Sequence, residues 1–351
     1  MALDTGHRSQ RIDCGSAHLA EFVSYRTKRL DTVLGPIELN RAYYHCSDCA
    51  SGVVPRDEEL GVSHTSLTPG LAAMTDRVGA AVPFAKGRDL LAELTGIELS
   101  TKRVERCAEA DGKAIAAAID IHAACVATGE VVPLPPAGAI PKLYVALDGT
   151  GIPAVPVDTA YRKGKGPDGR AHTREAKLGV VFTQTAVDDE GYPIRDPDSS
   201  SYVATLEPVE HFGTLISAEA RRRGSAKATE MVILGDGAVW IWNLAKAHFP
   251  SATHIVDLYH ERVHLSDLAK LLANVLGDER AGWLKERKDE LDGGDIPAIL
   301  TAARALDVPA NKTNDINTAL GYFENNAERM AYKTFRAAGH FVGSGTVEAR
   351  P

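Results

Sequence analysis

Two apolar runs in the second half of the sequence, "MVIL" and "HIV", lead into Asp236 and Asp257, and His260 follows the second. A third run, "YVAL", leads into Asp148 ahead of "GTG". A carboxylate at the end of a buried strand costs stability unless something positive meets it. The glycines beside these aspartates, Gly149 and Gly237, let a ligand approach the backbone closely. Glu348 stands in a similar setting, after the small-residue stretch "GSGTV". Carboxylates gathered from separate strand ends form a hard oxygen cage suited to Mg2+ or Mn2+. Two such ions can activate a water or hydroxyl and stabilise the leaving oxygen in phosphoryl transfer. A lone Asp-Gly most often caps a turn; a pair, each behind an apolar strand, weakens that reading.

Such residues need a sheet to hold them. "KLYVALDGTGIPAV", "KLGVVFTQTAV" and "SYVATLE" read as successive strands, with Asp148 closing the first before a flexible Gly-Thr-Gly. Then "TLISAEARRRGSAKA" reads as a helix, "MVILGDG" as a strand, "WIWNLAKAHFP" as a helix and "THIVDLY" as a strand. A meander followed by alternation predicts a mixed sheet with helices packed on it. Residues 260 to about 338 return to helical periodicity. Upstream, residues 1–60 are loop-rich, with "LDTVLGPIELNRAYYHC" alternating like paired strands around Gly35-Pro36. Ser66 to Thr128 is helical in pattern, and "EVVPLPPAGAIP" is a linker whose prolines bar both helix and central strand. Trp240 and Trp242 read as core anchors.

The bulk numbers narrow the class. With 351 residues, 44% hydrophobic and 25% charged, the chain has room for two or three globular domains. No apolar run approaches the roughly 20 residues of a membrane span, and "MALDTGHRSQ" has no apolar signal core, so a cytoplasmic location is expected. A formal charge of −8 argues against a uniformly basic nucleic-acid binder but leaves room for local basic faces. Five cysteines, an odd number, make no disulfide framework.

The motifs "ALDGTGIP", "REAKLGVVFTQ", "GDGAVWIWNLAKAHFP", "IVDLYHERVHL", "NNAERMAY" and "FVGSGTVEA" closely resemble the transposases of the ISKra group of bacterial insertion sequences. "LGPIELNRAYYHCSDC" belongs to the same resemblance, which runs in order from about residue 30 to residue 349. It implies an RNase H-like core with an acidic DDE triad: Asp148 first, Asp236 second and Glu348 third. Asp257-x-x-His260 resembles an accessory motif of related Mutator-like transposases, just before a helical insertion. His260 and His264 would share a helix face, but a structural histidine orienting a neighbouring carboxylate is the preferred reading. Implied partners are transposon ends and target DNA, with a nucleoid-associated homo-oligomer bridging two ends; the implied cofactor is a pair of Mg2+ or Mn2+ ions.

The expected fold is thus a multidomain α+β arrangement. A zinc-ribbon-like region covers 1–60, a helical DNA-binding region 61–128 and a linker 129–140. An RNase H-like core covers 141–260 and a helical insertion 261–338, and residues 339–351 bring the last carboxylate. Cys46-Ser-Asp-Cys49 has the spacing of half a zinc knuckle. A closed site needs four ligands, and upstream stands Cys14 alone, where relatives usually carry two cysteines. His18, or failing it His7, would complete the set; the alternative is a ribbon without zinc and ordinary thiols. Cys107 and Cys125 read as core residues.

DNA contacts are expected at two places. "RDLLAEL", Gly96 and a helix capped by Ser100 have the shape of a helix-turn-helix, with Lys102, Arg103 and Arg106 at the start of its second helix. The Gly-rich "YRKGKGPDGRAHTREAK" carries Arg162, Lys163, Lys165, Arg170, Arg174 and Lys177, suited to phosphates. The basic run at Arg221 to Arg223 reads as a solvated face. Two other functions compete. A haloacid-dehalogenase-type phosphatase also places aspartate in "DGT", but needs a second aspartate two residues on, where Thr150 stands here. A truncated transposase that binds ends without cutting them is the other, because the sequence stops three residues after Glu348.

Overall fold

The computed structural model describes residues 4–134, 136–160, 162–164, 169–343 and 345. The chain divides into two compact units, Met1–Ala118 and Ile119–Pro351.

The first unit opens with an antiparallel sheet of β1 (Arg11–Asp13), β2 (Leu19–Thr32), β3 (Gly35–Cys46) and β4 (Ser51–Val53), paired in that order. Thr32 pairs with Gly35, so β2 and β3 join through the two residues Val33 and Leu34. Gly35 takes the positive φ of 106° that this tight reversal demands. Ala20, Ala42, Tyr44 and Cys46 are fully buried and form the small core under this sheet. After the short α1 (Pro55–Glu59) come α2 (Pro69–Ala81), α3 (Phe84–Thr95) and α4 (Thr101–Thr128). Leu67, Leu71, Leu91, Leu99 and Val104 pack them together. Gly96 ends α3 in the left-handed conformation, and the Ser100 hydroxyl accepts the Arg103 N–H at the head of α4.

The second unit is built on a five-stranded mixed sheet. Its members are β5 (Ile140–Pro153), β6 (Thr173–Gln184), β9 (Ser201–Thr205), β10 (Ala228–Gly235) and β11 (Thr253–Val256), in the spatial order β11-β10-β5-β6-β9. The small pair β7 (Ala186–Val187) and β8 (Pro193–Ile194) stands apart, and α5 (Pro156–Thr159) precedes β6. β5, β6 and β9 are antiparallel, while β10 and β11 run parallel to β5 on its other side. The α+β class, with a mixed sheet and helices, is as the sequence indicates. One detail differs: β5 does not stop at Asp148. It continues to Pro153 because β6 pairs with it throughout, from Asp148↔Leu178 to Pro153↔Thr173. Only its parallel partner β10 ends there, at Leu147↔Gly235.

Leu143 to Leu147 are all buried, as a central strand covered on both faces requires. On one face lie α6 (Val209–Arg222) and α7 (Val239–His248). Gly179 and Gly235 admit them: a side chain there would strike Phe212 and Ile216, or Ile241. The opposite face carries Tyr144 and Phe182, stacked 4.8 Å apart, with Phe341 edge-on to both. The last helices are α8 (Leu258–Leu271), α9 (Ala273–Leu276), α10 (Arg280–Gly293), α11 (Ile296–Arg304), α12 (Thr313–Asn326) and α13 (Tyr332–Ala337). They share one apolar core with the sheet through Leu265, Leu291, Ile299, Leu320 and Phe335. Among the described residues, no helix is long and apolar enough to cross a membrane.

Candidate metal centres

In the first unit, two hairpin tips converge. Cys14 and His18 bound the loop between β1 and β2, closed by the Cys14 N–H donating to the His18 carbonyl at 3.0 Å. Cys46 ends β3 and Cys49 lies in the turn before β4. The ligand atoms of all four residues lie within 4.8 Å of one another. Cys14 and Cys49 place their sulfurs 3.7 Å apart, and His18 Nδ1 is 3.1 Å from Cys49 Sγ. Tetrahedral zinc, with Zn–S of about 2.3 Å, spaces its sulfurs about 3.8 Å apart. The four residues therefore form a group that could hold zinc, and His18 supplies the missing fourth position. His7 takes no part in it; its ring packs 4.9 Å from Phe22.

Crowding sets the chemistry of these thiols. Hydrogen bonding to Cys14 and Cys46 pushes the Cys49 thiol up to about 11. Burial works against the Cys14 thiolate, but the backbone donors at Ser16 and His18 outweigh it and hold Cys14 below an ordinary thiol. Thiols so arranged share protons, which a divalent cation displaces on binding. Cys107 lies apart, half-buried, and burial pushes it up to about 12.

In the second unit, the sheet register aligns three aspartates. Leu147, Gly235 and Val256 are mutual neighbours across β5, β10 and β11. Asp148, Asp236 and Asp257 each come one residue later, at the carboxyl edge of the parallel strands. Tyr144, Val232 and Thr253 form an aligned row, and the two-residue pleat gives Asp148, still within β5, the same face as Tyr144. Asp148 Oδ1 accepts the N–H of Gly149 at 2.7 Å, and Asp236 Oδ1 that of Ala238 at 2.9 Å. Asp257 is buried and caps α8, accepting from the N–H groups of Tyr259 (2.6 Å) and His260 (3.1 Å). The His260 ring stands 4.8 Å from that of His264, which lies 4.5 Å from Tyr322.

Two residues at this edge carry no signal of their own in the sequence. Glu261 is fully buried, and its Oε2 has no hydrogen-bond partner. Burial pushes its carboxyl up to about 8, with Asp257 and Asp236 adding to the rise and the Tyr322 hydroxyl opposing it. Tyr322, on α12, brings its hydroxyl 2.5 Å from Glu261 Oε1 and 3.2 Å from the Asp236 carbonyl oxygen. The spacing of Asp257 and Glu261, one helical turn apart, is the only hint the sequence offers.

Glu348 lies outside the described residues. The chain leading to it follows the acidic edge: the Leu258 N–H donates to the Val342 carbonyl at 2.9 Å. A Cβ on Gly343 would come within 3.9 Å of Asp257 Oδ2.

The basic residues divide. Arg162, Lys163 and Arg170 line a groove of about 700 Å3 with Gly149, Gly151 and His172, beside Asp148 in sequence. Lys163 and Arg170 face each other across an isolated bridge, and Lys165 lies outside the described residues. Arg174 is spent on structure, donating to the Leu206 carbonyl at 3.0 Å. Lys177 is buried and paired with Glu175 at 3.0 Å. In the first unit, Arg103 pairs with Asp31 at 2.7 Å and Ser66 at 2.9 Å. Lys102 pairs with Glu105 at 2.5 Å, and Arg106 is exposed.

No family model matches this chain, and no curated protein matches it. Among solved structures, a Drosophila P element transposase strand transfer complex is similar with a TM-score of 0.27 at 11% identity. The match covers 76% of this chain and 66% of that one, just under two thirds of its length. A likeness that slight fixes neither fold nor activity.

Proposed function

We propose that this chain is the DNA transposase of an insertion sequence, cutting and joining phosphodiesters with a DDE triad of Asp148, Asp236 and Glu348 on an RNase H-like core. The observation that carries this reading is the register: Leu147↔Gly235 is the last pair between the parallel strands β5 and β10, and Asp148 and Asp236 are the next residues on each. Support for the RNase H-like arrangement comes from the sheet itself. Three antiparallel strands are laid down first, and two parallel strands are added beside the first of them.

The donor set suits a hard cation. Asp148 and Asp236 are oxygen donors, each oriented by a backbone N–H, and the buried Glu261 carboxyl keeps an unpartnered oxygen. Asp148, Asp236 and Glu348 would hold the Mg2+ or Mn2+ pair, which when bound supplies charge stabilisation and a more acidic attacking hydroxyl. The chain's own contribution is to fix the geometry. Asp148 is held within the sheet by its pairing to Leu178 and Asp236 directly follows β10, and Arg162, Lys163 and Arg170 in the neighbouring groove would bind DNA phosphates and hold the strand in register. Water would first hydrolyse a phosphodiester at the transposon end. The freed 3′-hydroxyl would then displace a target phosphodiester in line. In the first unit, zinc on Cys14, His18, Cys46 and Cys49 would serve a structural role in a ribbon, and α3 and α4 with Lys102, Arg103 and Arg106 would contact transposon ends.

The test uses DNA carrying the chromosomal flanks of the coding sequence, where the element's ends must lie. Mn2+-dependent cleavage near those ends is expected, lowered about a thousandfold in Asp148→Ala by the loss of several kcal/mol of charge stabilisation. Binding to the same DNA should be unchanged. Retained cleavage in Asp148→Ala would overturn the assignment.

A further inference from the structure

Tyr322 reaches the acidic edge from 86 residues downstream of Asp236. Its hydroxyl sits between two oxygens, the Asp236 carbonyl at 3.2 Å and Glu261 Oε1 at 2.5 Å. The turn is shaped around that hydroxyl. Gly237 has a φ of 90°, and a Cβ added there would overlap the Tyr322 hydroxyl. His264 packs against the Tyr322 ring from α8, the helix that also carries Glu261. Glu261 is a poor choice for stability alone. A buried carboxyl with an unpartnered oxygen is costly, and an apolar side chain of similar size is commonly as stable or more so.

We propose that Tyr322, anchored by Glu261, is a positioning residue for Asp236, gripping its main chain so that the carboxylate is set for a divalent cation. This rests on the reading of Asp236 as a metal ligand. The hydrogen bonding supports it. A phenol has one proton and here faces two acceptors. Burial pushes Glu261 up to about 8, so near neutral pH it carries a proton of its own. The carboxyl can then donate to the phenol oxygen while the phenol donates to the Asp236 carbonyl. Each proton has an acceptor, and the helical segment is tied to the sheet edge.

Partners that orient a metal ligand from behind usually matter about 10- to 100-fold in affinity. Mn2+ binding by the full 351-residue chain, measured by calorimetry, tests the role alongside the melting temperature. Tyr322→Phe should weaken Mn2+ about tenfold or more. Glu261→Gln keeps a donor, its amide N–H, for the phenol oxygen and should bind within about threefold of the unsubstituted protein. Glu261→Met should weaken Mn2+ about tenfold while melting no lower, a separation that a merely structural role would not produce. Unchanged affinity in both Tyr322→Phe and Glu261→Met, with binding lost in Asp148→Asn, would overturn the positioning role and leave the acidic site standing. Unchanged affinity in Asp148→Asn would remove the site and the positioning role with it.

Discussion

The Cys14/His18/Cys46/Cys49 cluster and the acidic edge at Asp148 and Asp236 hold their ligands in opposite ways. The cluster's residues span 35 positions and come from two hairpin tips over a core of four buried side chains. The aspartates come from strands far apart in sequence, fixed by a sheet whose inner rows are wholly buried. The first is soft, thiolate and imidazole, which favours zinc; the second is hard, all oxygen, which favours Mg2+ or Mn2+. Each metal's binding energy would go to a different use. A small sheet closed by four ligands would draw folding energy from its ion. A site at the edge of a large packed core would be formed beforehand, and the ion proposed there would serve chemistry.

The widest separation between the two should appear on chelation. Structural zinc in small fingers contributes about 10–16 kcal/mol of apparent binding energy near neutral pH. Removing it, or substituting Cys46→Ser, should unfold the β1–β4 sheet, read as lost zinc and rapid proteolysis within residues 4–54. The melting transition of the mixed-sheet unit should stay in place. Cys107→Ser should keep its zinc. A chelated protein with that sheet intact would break the contrast.

Gly237→Ala makes a smaller change on the other side. A side chain at a φ of 90°, overlapping the Tyr322 hydroxyl, should cost about 1–3 kcal/mol in chemical denaturation of the second unit. Zinc content should not move.

The same side of the comparison also carries a pH effect. Glu261 is raised from 4.5 to about 8 by burial, so the folded state binds the extra proton. Its contribution to stability is full below about 4.5 and is lost as pH rises through about 8. Half-buried His248, His254 and His264 act the other way, each lowered by burial, so their contribution is lost as pH falls. Glu261→Gln isolates the carboxyl: its advantage over the unsubstituted protein should grow between pH 5 and 8, measured by denaturant midpoints. A constant difference would refute the assignment.

Much of this arrangement is legible in the sequence. An apolar run closed by Asp marks a strand reaching a sheet edge, and three such runs give Asp148, Asp236 and Asp257. Cys46-x-x-Cys49 marks a hairpin tip, and His18 follows from the need for a fourth ligand. The register was not legible, because which strands pair is decided by long-range packing and not by local pattern. Neither were Glu261 and Tyr322. Their place depends on how α12 folds back onto the edge, and a helical glutamate or tyrosine carries no mark of burial. The continuation of β5 past Asp148 was hidden by Gly149 and Gly151, which read locally as a break; pairing along β6 overrides that preference.

The most direct measurement of the central claim is Mn2+ electron paramagnetic resonance on the zinc-loaded full chain, with Asp236→Asn and Cys46→Ser alongside. A bound-ion signal that disappears in Asp236→Asn and persists in Cys46→Ser is expected. A signal that survives Asp236→Asn, or the absence of one in the unsubstituted protein, would contradict that claim.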